Sequence, residues 1–342
     1  MSMLLTVAPV AAAAAEGKWE RLPPLPDKEG FAGMYAGVSH GALLAAGGAN
    51  FPDKKPWEGG KKIWYDDVYV LEAPDGQWRK AGTLPRPMGY GVSVTYNDGV
   101  ICVGGSDADR HYTDVFRLEW KDGKLLTTPL PPLPKPVANA CGVVEKGMLY
   151  VAGGLEKPDA TEALATVYSI DLSAEKPVWN DGHPAIPGNG RMLAVAAVVN
   201  GRLQIAGGTE LVRQADGSVA RRYLREVQVY APKQGWGRGG DLPRAAVAAP
   251  SPAPVVAGGV YILGGDDGTQ VNVAPAQHKG FSRSLLRLDV GTEKWSNVGE
   301  LPVGHVTAPC VRWGDAWVIV SGEIRPGIRS PEVWSWRPQT PQ

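Results

Sequence analysis

Residues 149–154 read LYVAGG, an apolar run that ends in two glycines, and this pattern decides the fold because it recurs along the chain. Each run is short, continuous and apolar, as expected of a strand that is buried on both faces. Their spacing of about 50 residues is a period typical of propeller blades. Five runs end in Gly-Gly and a sixth ends in Ser-Gly: LLAAGG (43–48), ICVGG (101–105), LYVAGG (149–154), LQIAGG (203–208), VYILGG (260–265) and WVIVSG (317–322).

The sequence around each diglycine repeats as well. A tryptophan precedes it by about 26 to 28 residues, with a leucine in the third repeat: Trp19, Trp78, Leu126, Trp179, Trp236 and Trp295. A Leu-Pro or Ile-Pro turn lies between tryptophan and diglycine, and a further strand follows after a variable loop. A β-sandwich with chance glycines would not keep these signals in register six times. The sequence therefore predicts an all-β fold, a six-bladed β-propeller of kelch repeats.

The two ends of the repeat array predict how the ring closes. The chain reaches a tryptophan strand near residues 18–21 before its first diglycine, and its last predicted strand, residues 332–337, is the third of its blade. We therefore expect the N-terminal strand to complete the last blade, which removes two exposed sheet edges.

Composition limits the partners. Lys plus Arg and Asp plus Glu are 35 each, so the formal net charge is zero and a polyanion such as nucleic acid is not expected. Cys102, Cys141 and Cys310 lie in apolar runs without metal-ligand spacing, which predicts small buried core residues. The five histidines show no such spacing either, so no metal site is expected.

Residues 1–16, MSMLLTVAPVAAAAAE, contain an apolar run and an alanine-rich stretch like the end of a signal peptide, although a basic segment before them is missing. A disordered alanine-rich tail is the alternative. We interpret them as the remnant of a signal peptide, which predicts a periplasmic or secreted protein without membrane insertion. Residues 17–342 are then one propeller domain.

The sixth repeat carries the strongest candidate site. Its loop, SGEIRPGIRS (321–330), places Glu323, Arg325 and Arg329 around a Pro-Gly turn, where we expect loops to open around the axis. A carboxylate there can act as a general base, and a guanidinium can bind an anionic substrate. The alternative is a surface ion pair of little energetic consequence.

Other loop residues are weaker candidates for lining the same mouth, each of them more often a solvated or loop-stabilising residue. Tyr90 and Phe31 could stack on a sugar ring, although core packing is the ordinary role of such residues. The loop candidates are Asn50, Asp107, Arg110, Arg213, Asp266, Asp267 and Gln270, with His111 and His278 as loop histidines.

The octapeptide GEIRPGIR (322–329) resembles the G-E-x-[KR]-P-G-x-R loop of the N-acetylneuraminate epimerases, or sialic acid mutarotases, which are six-bladed kelch propellers. The segments GGANF (47–51), GFAGMYAG (30–37) and GYGVS (89–93) resemble the blade pattern of that family too. The loop falls in the sixth repeat here but in the fourth of the typical members, so the chain resembles a cyclically permuted branch. A closed ring tolerates that rearrangement without a change of geometry. A permuted branch can act on a different sugar, so the exact sugar substrate stays open.

The resemblance implies an isomerase that interconverts the anomers of free N-acetylneuraminate, with Glu323 as base and Arg329 as its partner. It further implies Arg325 as a substrate-binding residue, no cofactor, a small sugar acid as the partner, and a monomer or homodimer. Two other functions stay open at this point. One is a kelch propeller that binds a glycan or protein without turnover, and the other is a copper oxidase of the galactose oxidase type.

Overall fold

The computed structural model describes residues 17–339 and contains six antiparallel sheets, so the predicted all-β, six-bladed propeller is confirmed. Blade 1 consists of strands Tyr35–Ser39, Ala42–Ala46, Asp67–Leu71 and Arg79–Thr83. Blade 2 consists of Val92–Tyr96, Gly99–Val103, Val115–Lys121 and Lys124–Pro129. Blade 3 consists of Cys141–Glu145, Met148–Ala152 and Val167–Asp171. Blade 4 consists of Val195–Val199, Arg202–Ala206, Val227–Ala231 and Gly235–Arg238. Blade 5 consists of Val255–Val256, Gly259–Leu263, Ser284–Asp289 and Lys294–Glu300. Blade 6 consists of Cys310–Trp313, Ala316–Val320, Val333–Pro338 and Gly17–Leu22. The predicted leader, residues 1–16, lies outside the described part of the chain.

Three loops add two-stranded hairpins beyond the blades. They pair Ala49–Asn50 with Ile63–Trp64, Thr209–Arg213 with Val219–Tyr223, and Glu323–Arg325 with Ile328–Arg329, and a short 3-10 helix covers Pro56–Glu58. All three hairpins follow the second strand of a blade, so the variable loops of the sequence are partly ordered as sheet. Within residues 17–339, no helix is long and apolar enough to span a bilayer.

The ring closes as the sequence predicts. Gly17–Leu22 pairs antiparallel with Val333–Pro338, which places Trp19 opposite Trp336. The two indole rings stack with their centroids 5.9 Å apart, and Trp336 is fully buried. The strand nearest the N-terminus therefore supplies the outer strand of blade 6.

Blade 3 departs from the predicted four strands. Its outer strand is reduced to one bridge between Ser169 and Asn180. The segment after Asn180, DGHPAIPGNG, is rich in proline and glycine. Because proline has no N–H to donate to a ladder, such a segment does not extend the sheet.

The diglycines are the joints between neighbouring blades. Gly47 and Gly48 both have positive φ, and the N–H of Gly48 donates to the carbonyl oxygen of Met88 in the turn that begins blade 2. A Cβ on Gly47 would lie 2.3 Å from that same oxygen, so a side chain there would clash with the next blade. The glycines thus permit a turn and a close approach of backbone at once.

At the joint between blades 6 and 1, Ser321 replaces the first glycine and keeps its positive φ of 56°. Its buried hydroxyl oxygen accepts the N–H of Phe31 at 2.8 Å and lies 2.7 Å from the carbonyl oxygen of Ser330. A hydrogen-bonded side chain therefore offsets the strain of an L-residue in this conformation.

The repeated tryptophans fasten adjacent blades, as the sequence predicts. The indole N–H of Trp78 in blade 1 donates to the carbonyl oxygen of Pro23, beyond the outer strand of blade 6, at 2.8 Å. Trp236 in blade 4 makes the same bond to Pro184. In both residues the large apolar ring packs between blades while its one donor is satisfied.

The three cysteines are buried core residues, as predicted, and none forms a disulfide. Burial raises the pKa of the Cys141 thiol to about 12 and raises those of Cys102 and Cys310 well above their usual range. The thiols therefore stay protonated near neutral pH.

A closed circle of backbone hydrogen bonds surrounds the axis. One residue of each blade has positive φ and donates its N–H to the carbonyl oxygen of its neighbour in the preceding blade, at 2.7 to 2.8 Å. Because every one of these donors finds its acceptor on another blade, the circle fixes the blades to one another. The six members are Gly33, Tyr90, Asn139, Leu193, Ala248 and Thr307.

Candidate functional site

The residues that follow the diglycines form a second circle on the same face as the hydrogen-bonded one. Each of them forms a backbone bridge with the residue just before a member of the hydrogen-bonded circle. Glu323, for example, forms a bridge with Val306, which precedes Thr307. The six positions are therefore equivalent around the axis, and two adjacent ones are acidic. They are occupied by Ala49, Ser106, Leu155, Thr209, Asp266 and Glu323.

Glu323 begins the hairpin of loop 6 (residues 323–332), directly opposite Arg329. One carboxylate oxygen accepts the N–H of Gly327 at 2.7 Å, and the other lies 3.4 Å from Nη2 of Arg329. The Glu323 side chain is 17 % exposed, so it remains open to the mouth of the propeller. The arrangement orients a carboxylate that still has lone pairs free to accept a proton.

Arg329 is far less accessible than its partner, with a side chain only 4 % exposed. Its guanidinium carbon lies 4.6 Å from the centroid of the Phe51 ring, and its Nε and Nη1 atoms have no hydrogen-bond acceptor among the described residues. The ion pair orients the Glu323 carboxylate and balances its charge. Contact between this guanidinium and a substrate, which the sequence suggests, stays a prediction.

Two neighbouring loops enclose the hairpin. A Cβ on Gly327 would lie 2.9 Å from the ring of Pro56 and 3.0 Å from that of Trp57, both in loop 1 (residues 49–66). On the other side, a Cβ on Gly280 of loop 5 (residues 266–283) would lie 3.6 Å from the carbonyl oxygen of Ile324. Glu323 and Arg329 therefore lie between loops 1 and 5.

Tyr90 and Gly33 form the floor near the axis. Tyr90 belongs to the hydrogen-bonded circle, and a Cβ on Gly33 would lie 2.6 Å from its ring. The missing side chain therefore lets the Tyr90 ring lie across the mouth. The ammonium of Lys62 from loop 1 lies 5.0 Å from the centroid of that ring. Tyr90 is among the candidates predicted from the sequence, whereas Lys62 and Phe51 are not, because loop 1 offers no spacing that predicts contacts to other blades.

Asn50 and Asp266 are held by bonds within the fold. Asn50 is 1 % exposed; its Nδ2 lies 3.0 Å from the carbonyl oxygen of Gly30, and its Oδ1 accepts the hydroxyl of Tyr65 at 2.9 Å. Asp266 accepts the hydroxyl of Tyr223 at 3.0 Å, and burial followed by that carboxylate raises the pKa of Tyr223 to about 12. Both residues brace their loops, and substrate contact by either one stays a prediction.

The cationic candidates are more open. Arg110 and Arg213 are exposed on the second and fourth loops, and Arg213 donates to the hydroxyl of Thr161 at 3.4 Å. Arg325 is partly exposed and lies on the same hairpin as Glu323. Arg325 therefore lies on the same hairpin as the ion pair of Glu323 and Arg329. No described contact links Arg110 or Arg213 to this hairpin.

The loop histidines and Phe31 are buried. Nδ1 of His111 bonds to the carbonyl oxygen of Leu155 at 2.9 Å, and burial lowers the pKa of this histidine. His278 packs on Phe281, and Phe31 packs on Tyr65. Across residues 17–339, no group of three or more His, Cys, Asp or Glu side chains is arranged to hold a metal ion.

Comparison with known proteins identifies a similar family over part of the chain. Residues 6–127 match the family model described as N-acetylneuraminate epimerase. The N-acetylneuraminate epimerase of Salmonella enteritidis PT4 is 42 % identical over 122 residues, which cover 32 % of this chain and 31 % of that protein. The enzyme of that name from Yersinia enterocolitica is 41 % identical over 128 residues, 32 % of each chain. The match thus spans about a third of the length of the curated relatives.

A solved structure shares the fold more widely. The structure entitled "Structure of YjhT" superposes with a TM-score of 0.64 over 77 % of this chain and 82 % of that one, at 14 % identity. Loop 1 and Tyr90 fall inside the segment matched in sequence, whereas Glu323 and Arg329 fall outside it. The predicted resemblance to the N-acetylneuraminate epimerase family is therefore confirmed, and residues 6–127 are the part of the chain that carries it.

Proposed function

We propose that this protein is an isomerase that interconverts the α and β anomers of free N-acetylneuraminate, with Glu323 as the general base. The observation that carries the proposal is the Glu323 carboxylate itself, which is oriented by Gly327 and Arg329 at the open mouth of the propeller. The family match over residues 6–127 supports the substrate class. The cyclic permutation is part of the same proposal, since it places the motif loop in blade 6.

The reaction needs one proton to leave and one to arrive. Glu323 removes the proton of the anomeric hydroxyl, and the bond between the anomeric carbon and the ring oxygen breaks as that oxygen takes up a proton from water or a neighbouring acid. The open keto form then recloses on either face, and the protons return. Because mutarotation already proceeds in water, a single oriented base supplies the modest acceleration that is needed.

Arg329 acts in this scheme as a positioning residue. Its guanidinium is enclosed by Phe51 and forms an ion pair with Glu323, so it keeps the carboxylate in place without touching the sugar. Arg325, on the same hairpin and partly exposed, is a cation that a sugar carboxylate can reach.

Proton NMR of freshly released α-N-acetylneuraminate tests the proposal. We expect the wild-type protein to speed equilibration in proportion to its concentration, and Glu323→Gln to reduce that catalysed rate by about 100-fold or more. Glu210→Gln is the matched control, because Glu210 faces Arg222 in the hairpin of the fourth loop as Glu323 faces Arg329. We expect this control to retain the wild-type rate. An uncatalysed rate with folded wild-type protein would rule out the function.

A second candidate has one observation in its favour. Trp57 and Ile63 of loop 1 and Val271 of loop 5 are exposed large apolar side chains on loops that follow second strands. Exposed apolar side chains are what a propeller that binds a glycan or protein without turnover would present. In that case Glu323→Gln would bind the same ligand as the wild type, and neither protein would change the rate of mutarotation.

A further inference from the structure

Lys62 is a partly buried cation with aromatic neighbours and no carboxylate partner. Its ammonium lies 5.2 Å from the centroid of the Trp64 ring and 5.0 Å from that of Tyr90. The basic residue of loop 1 that forms an ion pair is Lys55, with Glu29, and no ion pair within residues 17–339 includes Lys62. Two aromatic faces thus hold a positive charge at the mouth without neutralising it.

Lys62 belongs to loop 1, which also contacts the hairpin that carries Glu323. The register of the loop 1 hairpin pairs Ala49 with Trp64 and Asn50 with Ile63; Phe51 directly follows the first strand, and Lys62 directly precedes the second. Phe51 in turn packs on Arg329. Loop 1 therefore contacts the positioning arginine through Phe51 and holds the ammonium of Lys62 near Tyr90.

The accessibility of the cations decides which of them can meet an anionic ligand. Arg329 is enclosed and already paired with Glu323, whereas Arg325 and Lys62 are both partly exposed. Of these two, Lys62 has the described contact with Tyr90 on the floor of the mouth. Lys62 is partly exposed, and its contact with Tyr90 places it over a member of the hydrogen-bonded circle at the axis. An anion that enters the mouth can therefore bind the ammonium directly, and partial burial strengthens the attraction.

We propose that Lys62 determines specificity for sugar acids, by binding the carboxylate of the substrate while Tyr90 lies beneath the sugar ring. This inference rests on the proposed function and adds to it the group that distinguishes an acidic sugar from a neutral one. A purely structural role, in which Lys62 only packs on the two rings, makes a different prediction, because it does not depend on the charge of the ligand.

The test compares N-acetylneuraminate with its methyl ester, which has the same ring and no negative charge. Calorimetric titration should show that Lys62→Met weakens binding of the acid by about tenfold and leaves binding of the ester within about twofold of the wild type. Lys62→Arg should restore most of the affinity for the acid. Lys61→Met, which removes the exposed neighbouring lysine, is the control and should bind both ligands as the wild type does.

Equal weakening of acid and ester by Lys62→Met would show a packing role and overturn the inference, and so would unchanged binding of both. The mutarotation assay distinguishes this result from a failure of the proposed function. A wild-type protein that accelerates mutarotation, together with charge-independent effects at Lys62, overturns only the role of Lys62. A wild-type protein that neither binds nor converts N-acetylneuraminate overturns the function and this role together.

Discussion

His305 should make the protein sensitive to acid. It is 1 % exposed, and its Nδ1 bonds to the carbonyl oxygen of Val303 at 3.1 Å, while its Nε2 has no partner among the described residues. Burial lowers the pKa of His305 to about 4, against weaker opposing effects of the hydrogen bond to Val303 and of the Glu332 charge. Since His305 directly precedes Val306, which bonds to the backbone of Glu323, protonation would disturb the segment that holds the site.

The pKa values of His305 in the unfolded and in the folded chain determine the sign and size of its effect on stability. The unfolded chain binds a proton to this imidazole below about pH 6.5, whereas the folded chain resists it down to about pH 4. The stability is therefore complete above pH 6.5, falls steadily as the pH drops from there toward the folded value of about 4, and changes no further below it. Between pH 7.5 and pH 4.5 this single group should lower the free energy of unfolding by about 2.5 kcal/mol.

Urea unfolding at pH 7.5 and pH 4.5, followed by tryptophan fluorescence, measures that loss. The wild type should lose about 2.5 kcal/mol more than His305→Gln does over the same interval, because glutamine has no proton to gain. Added salt should not abolish the difference, since desolvation rather than a distant charge causes it. An equal loss in both proteins would refute the reasoning.

Two further predictions concern the joints between blades, and both are measured by urea unfolding. Gly47→Ala should destabilise the protein by about 3 kcal/mol or more, because the new Cβ would meet the Met88 carbonyl oxygen. Gly41→Ala, at a residue with positive φ but open space around it, should destabilise the protein by about 1 kcal/mol. Similar losses in the two variants would contradict a close approach at Gly47. Ser321→Ala should lower the free energy of unfolding by about 1 to 3 kcal/mol, because it leaves the buried N–H of Phe31 without its acceptor. Ser321→Gly should lower it by less, since glycine adopts the positive φ without strain. The opposite order of the two losses would contradict the role given to Ser321 at the joint.

The repeat and its closure could be predicted from the sequence because each depends on a local signal. The apolar run before Gly153 and Gly154 identifies an inner strand wherever it occurs, and counting such runs gives the number of blades. The strand around Trp19 had no partner within its own repeat, which indicated pairing with the other end of the chain, and the pairing with Trp336 confirms it.

The contacts around the candidate site could not be predicted in the same way. The sequence pairs Glu323 with Arg329 through a tight turn, and the hairpin has this register. The burial of Arg329 under Phe51 depends on how loop 1 folds over blade 6, and these residues are far apart in sequence. The position of Lys62 over Tyr90 depends on contacts between blades for the same reason. Periodicity identifies strands, but it does not show which side chains of different loops meet.

A crystal structure of the Glu323→Gln variant with N-acetylneuraminate bound tests the central claim most directly. We expect the sugar between loops 1 and 5 over the Tyr90 ring, with its anomeric hydroxyl about 3 Å from the side chain at position 323. A sugar bound at another blade, with its anomeric carbon turned away from position 323, would contradict the claim.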